Sequence, residues 1–136
     1  SPAIFDDTSL QEDFENLLNT FNADQRFTIQ FQFDLQGQRP ADDVQLNLYR
    51  ILQEQTKNIS KYSEATEIKI SVTVTDRLVS MRIADNGIGF DVKHLRKGIG
   101  LSNIKRRTEA LNGKFILNSA PGKGCEIVVE MPVRNN

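Results

Sequence analysis

Cysteine, histidine and long apolar runs are scarce in this sequence. Cys125 is the only cysteine, which excludes an internal disulfide framework and a cysteine-rich zinc site. No apolar run approaches the roughly 18 residues of a membrane span, and no secretory signal opens the chain. Positive charge is not in excess, since 17 Lys and Arg stand against 18 Asp and Glu. We therefore expect contact with neither nucleic acid nor a membrane.

The length and composition are those of one folded domain. A chain of 136 residues can bury a hydrophobic core without covalent cross-links. Its 38% hydrophobic and 26% charged content is ordinary for a globular protein. The first residue is Ser1 rather than Met. We therefore predict an excised fragment that forms a single domain over residues 1–136, in which residues 1–7 are a cloning scar or linker remnant.

Apolar residues recur at helical spacing in three segments and alternate with polar residues in five others. The predicted helices and strands, in chain order, are helix 10–21, strand 27–35, helix 40–62, strands 68–75 and 79–84, helix 102–112, and strands 115–118 and 125–133. Alternation in every strand indicates a sheet with one covered face. The predicted fold class is α+β, a two-layer α/β sandwich whose mixed, largely antiparallel sheet is covered on one face by about three helices.

The second predicted helix carries a group of polar side chains. Glu54, Asn58 and Lys61 fall within roughly 60° of one another, beside the apolar stripe of that helix. An acid, an amide and an ammonium on one edge can hold a hydrated divalent cation and the phosphates that it neutralises. The alternative is an ordinary solvated helix face with i,i+3 and i,i+4 pairs.

Two glycine-rich segments follow the central strands. Asp85-Asn-Gly-Ile-Gly-Phe90 places a carboxylate at the end of a strand, where it can accept a hydrogen bond from an exocyclic amine such as that of adenine, or simply form a turn. Lys97-Gly-Ile-Gly-Leu-Ser-Asn103 runs into a helix, whose N-terminal N–H groups can bind an anion. The basic run around this segment equally suits a solvated face or an acidic partner. P-loop and Rossmann signatures are both missing.

Taken in order, these segments resemble the ATP-binding catalytic domain of bacterial sensor histidine kinases, which shares the Bergerat fold with gyrase B, Hsp90 and MutL. Residues 50–63 resemble the N box of that family, residues 85–90 its first glycine box and residues 98–104 its second, and Gly122-Lys-Gly124 resembles its late glycine pair. The resemblance covers roughly residues 40–133. The short span between the two boxes suggests an ATP lid at about residues 90–101, as in the subgroup with DesK-like catalytic domains.

The resemblance implies a site for ATP and Mg²⁺. Asp85 would accept a hydrogen bond from the adenine amino group, and Asn58 would ligate the metal. Glu54 would activate a water molecule or organise the water shell of the metal, so Glu54 and Asn58 are the implied catalytic pair. The other implied nucleotide-binding residues are Lys61, Tyr62, Gly87, Gly89, Lys97, Gly98, Gly100, Leu101 and Cys125.

Two positions depart from the family pattern. Cys125 stands where the family usually has Thr or Ser, and a thiol is a poorer hydrogen bonder. The only histidine, His94, lies in the expected lid and not on a helix as a phospho-acceptor would. The resemblance therefore implies that the phosphate goes to a histidine on the dimerisation helices of a parent kinase, with a response regulator downstream. The parent is expected to be a cytoplasmic or membrane-anchored homodimer, and this cytoplasmic fragment a monomer.

Two other interpretations remain open. One is a free-standing protein-serine kinase of the anti-sigma-factor type, which has the same fold and a similar length. The other is a docking module that has lost nucleotide turnover. Glu54, Asn58, Asp85 and the glycine boxes together favour the histidine kinase, since a decayed site has no physical need for all of them.

Overall fold

The computed structural model describes residues 9–94 and 100–134. The helices are α1 (Leu10–Phe21), α2 (Asp42–Asn58) and α3 (Leu101–Ala110), with a π-helical turn at Ile59–Ser63 and a short 3-10 turn at Val92–His94. The strands are β1 (Thr28–Asp34), β2 (Glu67–Thr75), β3 (Leu78–Asp85), β4 (Lys114–Ser119) and β5 (Cys125–Pro132). Among the described residues, no helix has both the length and the apolar character needed to cross a bilayer.

The five strands form one mixed sheet in the order β1-β2-β3-β5-β4. β1 and β2 are parallel and are joined through α2, whereas the other neighbouring pairs are antiparallel. Asp76 and Arg77 both have positive φ (51° and 64°), which is the backbone of a tight two-residue hairpin between β2 and β3. The largely antiparallel sheet with three helices confirms the predicted fold class.

The core lies between the helices and one face of the sheet. Val44, Leu48 and Ile51 of α2 are completely buried, as are Phe14 of α1 and Ile104 of α3. The sheet contributes alternate residues of its central strands, all at most 3% exposed: Ile68, Ile70, Val72, Val74, Val79, Met81, Ile83, Ile127, Val129 and Met131.

The first strand is buried less completely than its alternation predicts. Ile29, Phe31 and Phe33 are only half-buried, because β1 is an edge strand with a helix contact on one side. The Phe14 ring of α1 packs edge-on against Phe33, with ring centroids 5.8 Å apart. Ser9 caps α1 by accepting a hydrogen bond from the Glu12 N–H (3.1 Å), as the sequence predicts.

Two helix ends differ from their predicted form. The segment predicted as helix to about residue 62 is α-helical only to Asn58 and then widens into the π-helical turn. The third helix, predicted to reach residue 112, ends at Ala110. Asn112, and not the glycine that follows it, adopts the left-handed conformation (φ 59°). Gly113 is needed for space instead, because a Cβ there would lie 2.4 Å from the Glu130 carbonyl oxygen and 2.8 Å from that of Thr108.

A Gly113→Ala substitution is therefore expected to lower the free energy of unfolding by about 3 kcal/mol, since main-chain oxygens cannot move aside as a flexible side chain would. Gly122→Ala is the control, because its Cβ would meet nothing within 4 Å and only its φ of 78° is unfavourable. We expect a loss of about 1 kcal/mol there. Urea unfolding of both variants measures the difference, and equal losses would contradict the steric explanation.

Candidate functional site

A pocket opens where the end of α2, the loop after β3, the start of α3 and the start of β5 meet. Its empty volume is about 360 Å³, which includes space open to solvent. The residues that line it are Gln55, Asn58, Ile59, Tyr62, Ser63, Asp85, Gly89, Phe90, Leu101 and Cys125. It therefore brings together three of the sequence segments singled out above, which lie far apart along the chain.

Asp85 is the last residue of β3 and is half-buried in the pocket wall. Its Oδ1 accepts a hydrogen bond from the Gly87 N–H (2.8 Å), and the Cys125 backbone also bonds its carboxyl group. Burial raises the pKa of Asp85, and these two backbone hydrogen bonds lower it by less. A fixed, partly desolvated acceptor at this point can recognise an amine donor of a ligand.

Asn58 and Glu54 meet the start of α3 from the last turns of α2. The Asn58 Oδ1 accepts a hydrogen bond from the Gly100 N–H (3.4 Å), across 42 residues of sequence. A Cβ at Gly100 would lie only 2.2 Å from the Glu54 Oε2, so the carboxylate lies directly against this glycine. Leu101, the first residue of α3, is buried beside them. The structure thus brings Glu54 and Asn58 together with Gly100 of the second glycine segment.

The first glycine segment is held by close main-chain contacts. The Ile88 N–H donates a hydrogen bond to the Ser63 carbonyl oxygen (2.7 Å), and a Cβ at Gly87 would lie 2.2 Å from the same oxygen. Gly89 has a φ of 62°, and a Cβ there would lie 2.2 Å from the Ala120 carbonyl oxygen. A side chain at either glycine would therefore clash with main-chain oxygens beside the pocket.

The remaining predicted residues differ in their placement. Tyr62 and Cys125 line the pocket, whereas Lys61 is exposed and lines a neighbouring groove along α2. Lys97 and Gly98 lie outside the described residues, as does the middle of the expected lid. Cys125 is buried, and burial together with the nearby Asp85 charge raises the pKa of its thiol to about 12. The thiol is therefore neutral at physiological pH, as expected for an inert cysteine.

The sequence interpretation missed Gln55 and Ser63. Gln55 is 3% exposed and sits one turn after Ile51, at a position where the apolar stripe of α2 calls for a hydrophobic residue. A polar residue within an apolar stripe is the sequence signal that could have identified Gln55. Ser63 contributes its carbonyl oxygen, which accepts the Ile88 N–H. No sequence pattern identifies a main-chain acceptor of this kind.

The sequence profile of the histidine kinase-, DNA gyrase B- and HSP90-like ATPases matches residues 43–135. This chain belongs to that family. It is 32% identical over 139 aligned positions to the signal transduction histidine-protein kinase/phosphatase DegS of Bacillus subtilis. The alignment covers 97% of this chain but only 36% of DegS, so the chain spans about a third of that relative.

Solved histidine kinases share the fold. The catalytic domain of the histidine kinase ThkA matches 92% of this chain and 90% of its own length, with a TM-score of 0.73 at 16% identity. Full-length ShkA, solved in complex with AMPPNP, matches 93% of this chain and 30% of its own, with a TM-score of 0.70 at 21% identity. The fold of this chain is thus shared with solved histidine kinases and is the one predicted.

The donor set at the site fits a magnesium ion that is shared with a ligand. Asn58 and Glu54 present oxygen atoms, which Mg²⁺ prefers. Within residues 9–94 and 100–134, no three His, Cys, Asp or Glu side chains are grouped to hold a metal by themselves. The protein therefore suits an ion that takes most of its ligands from water and phosphate oxygens.

The buried Asp85 carboxyl gives a prediction for stability against pH. The pKa of Asp85 in the folded protein is raised above 3.8. Asp85 therefore stabilises the folded protein at low pH, and this stabilisation is lost as pH rises through the folded pKa. The free energy of unfolding of Asp85→Asn, relative to the unsubstituted protein, should therefore rise with pH from about 4 to 7, as urea titrations would show.

Asp34→Asn is the matched control for this measurement. Asp34 also ends a strand and accepts a hydrogen bond from the backbone N–H two residues on (Gln36, 2.9 Å), but it is exposed. Its relative stability should show no comparable rise. A fall in the relative stability of Asp85→Asn as pH increases would contradict the role assigned to burial.

Proposed function

We propose that this domain binds Mg-ATP in the pocket and donates the γ-phosphoryl group to a histidine on the dimerisation helices of a parent kinase. The observation that carries the proposal is that Asp85 and Asn58 line one pocket, while Asn58 and Glu54 both contact Gly100 at the start of α3. Membership of the ATPase family and the AMPPNP complex of ShkA support it. ATP is then the nucleotide and Mg²⁺ the metal.

The base of the nucleotide would enter between Asp85 and the π-helical turn. Asp85 would accept a hydrogen bond from the adenine amino group, and Tyr62 and Phe90 would pack against the ring. The carboxylate accepts hydrogen bonds only, so it favours adenine over guanine, which presents a carbonyl oxygen at the equivalent edge. Gly87 and Gly89 are needed here, because a Cβ at either position would lie 2.2 Å from a main-chain oxygen.

The phosphates would lie toward Asn58 and the N-terminus of α3. The first turn of α3 offers backbone donors to an anion. Asn58 would ligate Mg²⁺, which supplies charge neutralisation on the transferring phosphoryl group. Glu54 would hold water molecules of the metal shell beside Gly100. Lys61, Lys97 and Gly98 are proposed phosphate contacts on the strength of the family motif.

The acceptor must come from another module. The single histidine, His94, is exposed in a 3-10 turn and lies 3.0 Å from Asp91, away from the residues that line the pocket. We therefore propose that the partners are the histidine-bearing helices of a homodimeric parent and a downstream response regulator. The short segment between the two glycine boxes supports assignment to the DesK-like subgroup. The domain would act in the cytoplasm, where ATP is available, as a monomer when excised.

A thermal-unfolding series tests nucleotide binding. ATP at 100 times its dissociation constant adds about 2.7 kcal/mol of stability, which should raise the midpoint by about 5–10 °C for a domain of this size. We expect that rise with Mg-ATP and none with Mg-GTP. Asp85→Asn should lose the rise and its control Asp34→Asn should keep it. Equal shifts with ATP and GTP would overturn adenine recognition by Asp85, and no shift with any nucleotide would favour a docking module.

A phosphotransfer assay tests the second half of the proposal. With γ-labelled ATP and Mg²⁺, the domain alone should acquire no acid-labile label, and His94→Ala should bind Mg-ATP as the unsubstituted domain does. Addition of the histidine-bearing module of its parent should place the label on that module. Label on His94 itself, or label on a serine of the partner, would contradict transfer to a helical histidine.

A further inference from the structure

Gln55 is a buried glutamine inside the pocket wall, with a contact to a residue of the proposed metal site. Its Oε1 accepts a hydrogen bond from the Asn58 Nδ2 (3.2 Å). Its side chain also hydrogen-bonds the Cys125 thiol, which lowers the pKa of that thiol against the larger effect of burial. Gln55 thus connects the last turn of α2 with the first residue of β5.

A glutamine is a costly choice at this position. It is 3% exposed and continues the apolar stripe of α2, so both ends of its amide need partners inside the protein. A leucine or methionine would pack there without that requirement. Gln45, the other buried glutamine of α2, donates its Nε2 to the Pro40 carbonyl oxygen (2.7 Å) and does not line the pocket. Gln55 is therefore the one of the two whose partners belong to the site.

The hydrogen bond from Asn58 to Gln55 determines which end of the Asn58 amide faces the ligand. With Nδ2 donating to Gln55, the Oδ1 is turned to the Gly100 N–H at the start of α3. Rotation of the amide by 180° would bring two oxygen atoms together and turn an NH₂ group outward. An NH₂ group cannot ligate Mg²⁺, whereas an amide oxygen can.

We infer that Gln55 is a positioning residue that holds the Asn58 amide with its oxygen directed to the metal, an inference that rests on the proposed function. The effect is of the kind that hydrogen-bond partners exert on metal ligands elsewhere, where their removal weakens metal affinity about 10- to 100-fold. Its contact with the proposed metal ligand runs through Asn58, so its effect on metal use is measured by the ratio of affinities with and without Mg²⁺.

The experiment compares ATP dissociation constants in Mg²⁺ and in EDTA for the unsubstituted domain, Gln55→Met and Gln45→Met. Calorimetry gives the enhancement of affinity by Mg²⁺ as a ratio for each protein. Gln55→Met should reduce this enhancement about 10-fold or more. Gln45→Met removes an equally buried glutamine from the same helix and should keep the enhancement of the unsubstituted domain.

The outcomes separate this inference from the proposed function. If the unsubstituted domain fails to bind ATP in either condition, the proposed function fails. If it binds with Mg²⁺ enhancement and Gln55→Met retains that enhancement, or loses affinity equally in Mg²⁺ and EDTA, the positioning role is overturned. Gln55→Ala is the second variant should the methionine prevent folding, since alanine is the strongest helix former, and its expected ratio is the same.

Discussion

The Ser63 carbonyl oxygen forms the contact on which the arrangement of the site depends. It accepts the Ile88 N–H (2.7 Å), and it lies so close to Gly87 that no side chain fits between them. This contact joins the π-helical end of α2 to the loop after β3. Because Asn58 lies just before that turn and Asp85 just before that loop, one main-chain hydrogen bond sets the distance between the two ends of the proposed nucleotide site.

The π-helical turn explains how α2 serves both the core and the pocket. Up to Asn58 the helix buries an apolar stripe, with Leu48, Ile51 and Leu52 fully inside. A regular continuation would keep the same face against the sheet. The wider turn at Ile59–Ser63 changes the phase, so that Tyr62 and the Ser63 main chain reach the pocket. Such turns are frequent at functional sites for this reason.

The pocket holds groups that a core selected for stability alone would not contain. Burial raises the pKa of Asp85, so its ionised form is held there at some cost to folding. Gln55 replaces a hydrophobic residue in the stripe of α2 and needs two internal partners. Both features become understandable if the proposed nucleotide and its metal bind beside Asn58 and Gly100, where they would require fixed acceptors. The buried apolar residues of the central strands offset the folding free energy that these polar groups cost.

Much of the fold and part of the site could be predicted from the sequence. Periodicity determined the helices, the strands and the covered face of the sheet, because each depends on local spacing of apolar residues. Asp85, Asn58, Glu54 and the glycines were identifiable because their residue types carry the chemistry and their order follows a family motif. The left-handed residue Asn112 and the π-helical turn were missed, since short-range signals do not decide how a helix end packs.

Only the tertiary structure decided which of these residues meet. The Asn58 oxygen contacts the Gly100 N–H across 42 residues, and Lys61, one turn beyond Asn58, lines a different groove. Gln55 acquires its importance from two neighbours, Asn58 and Cys125, of which the second is distant in sequence. Residue types and local periods are properties of the chain itself. The partners of a buried polar group depend on how distant segments pack, and that is determined only in the folded protein.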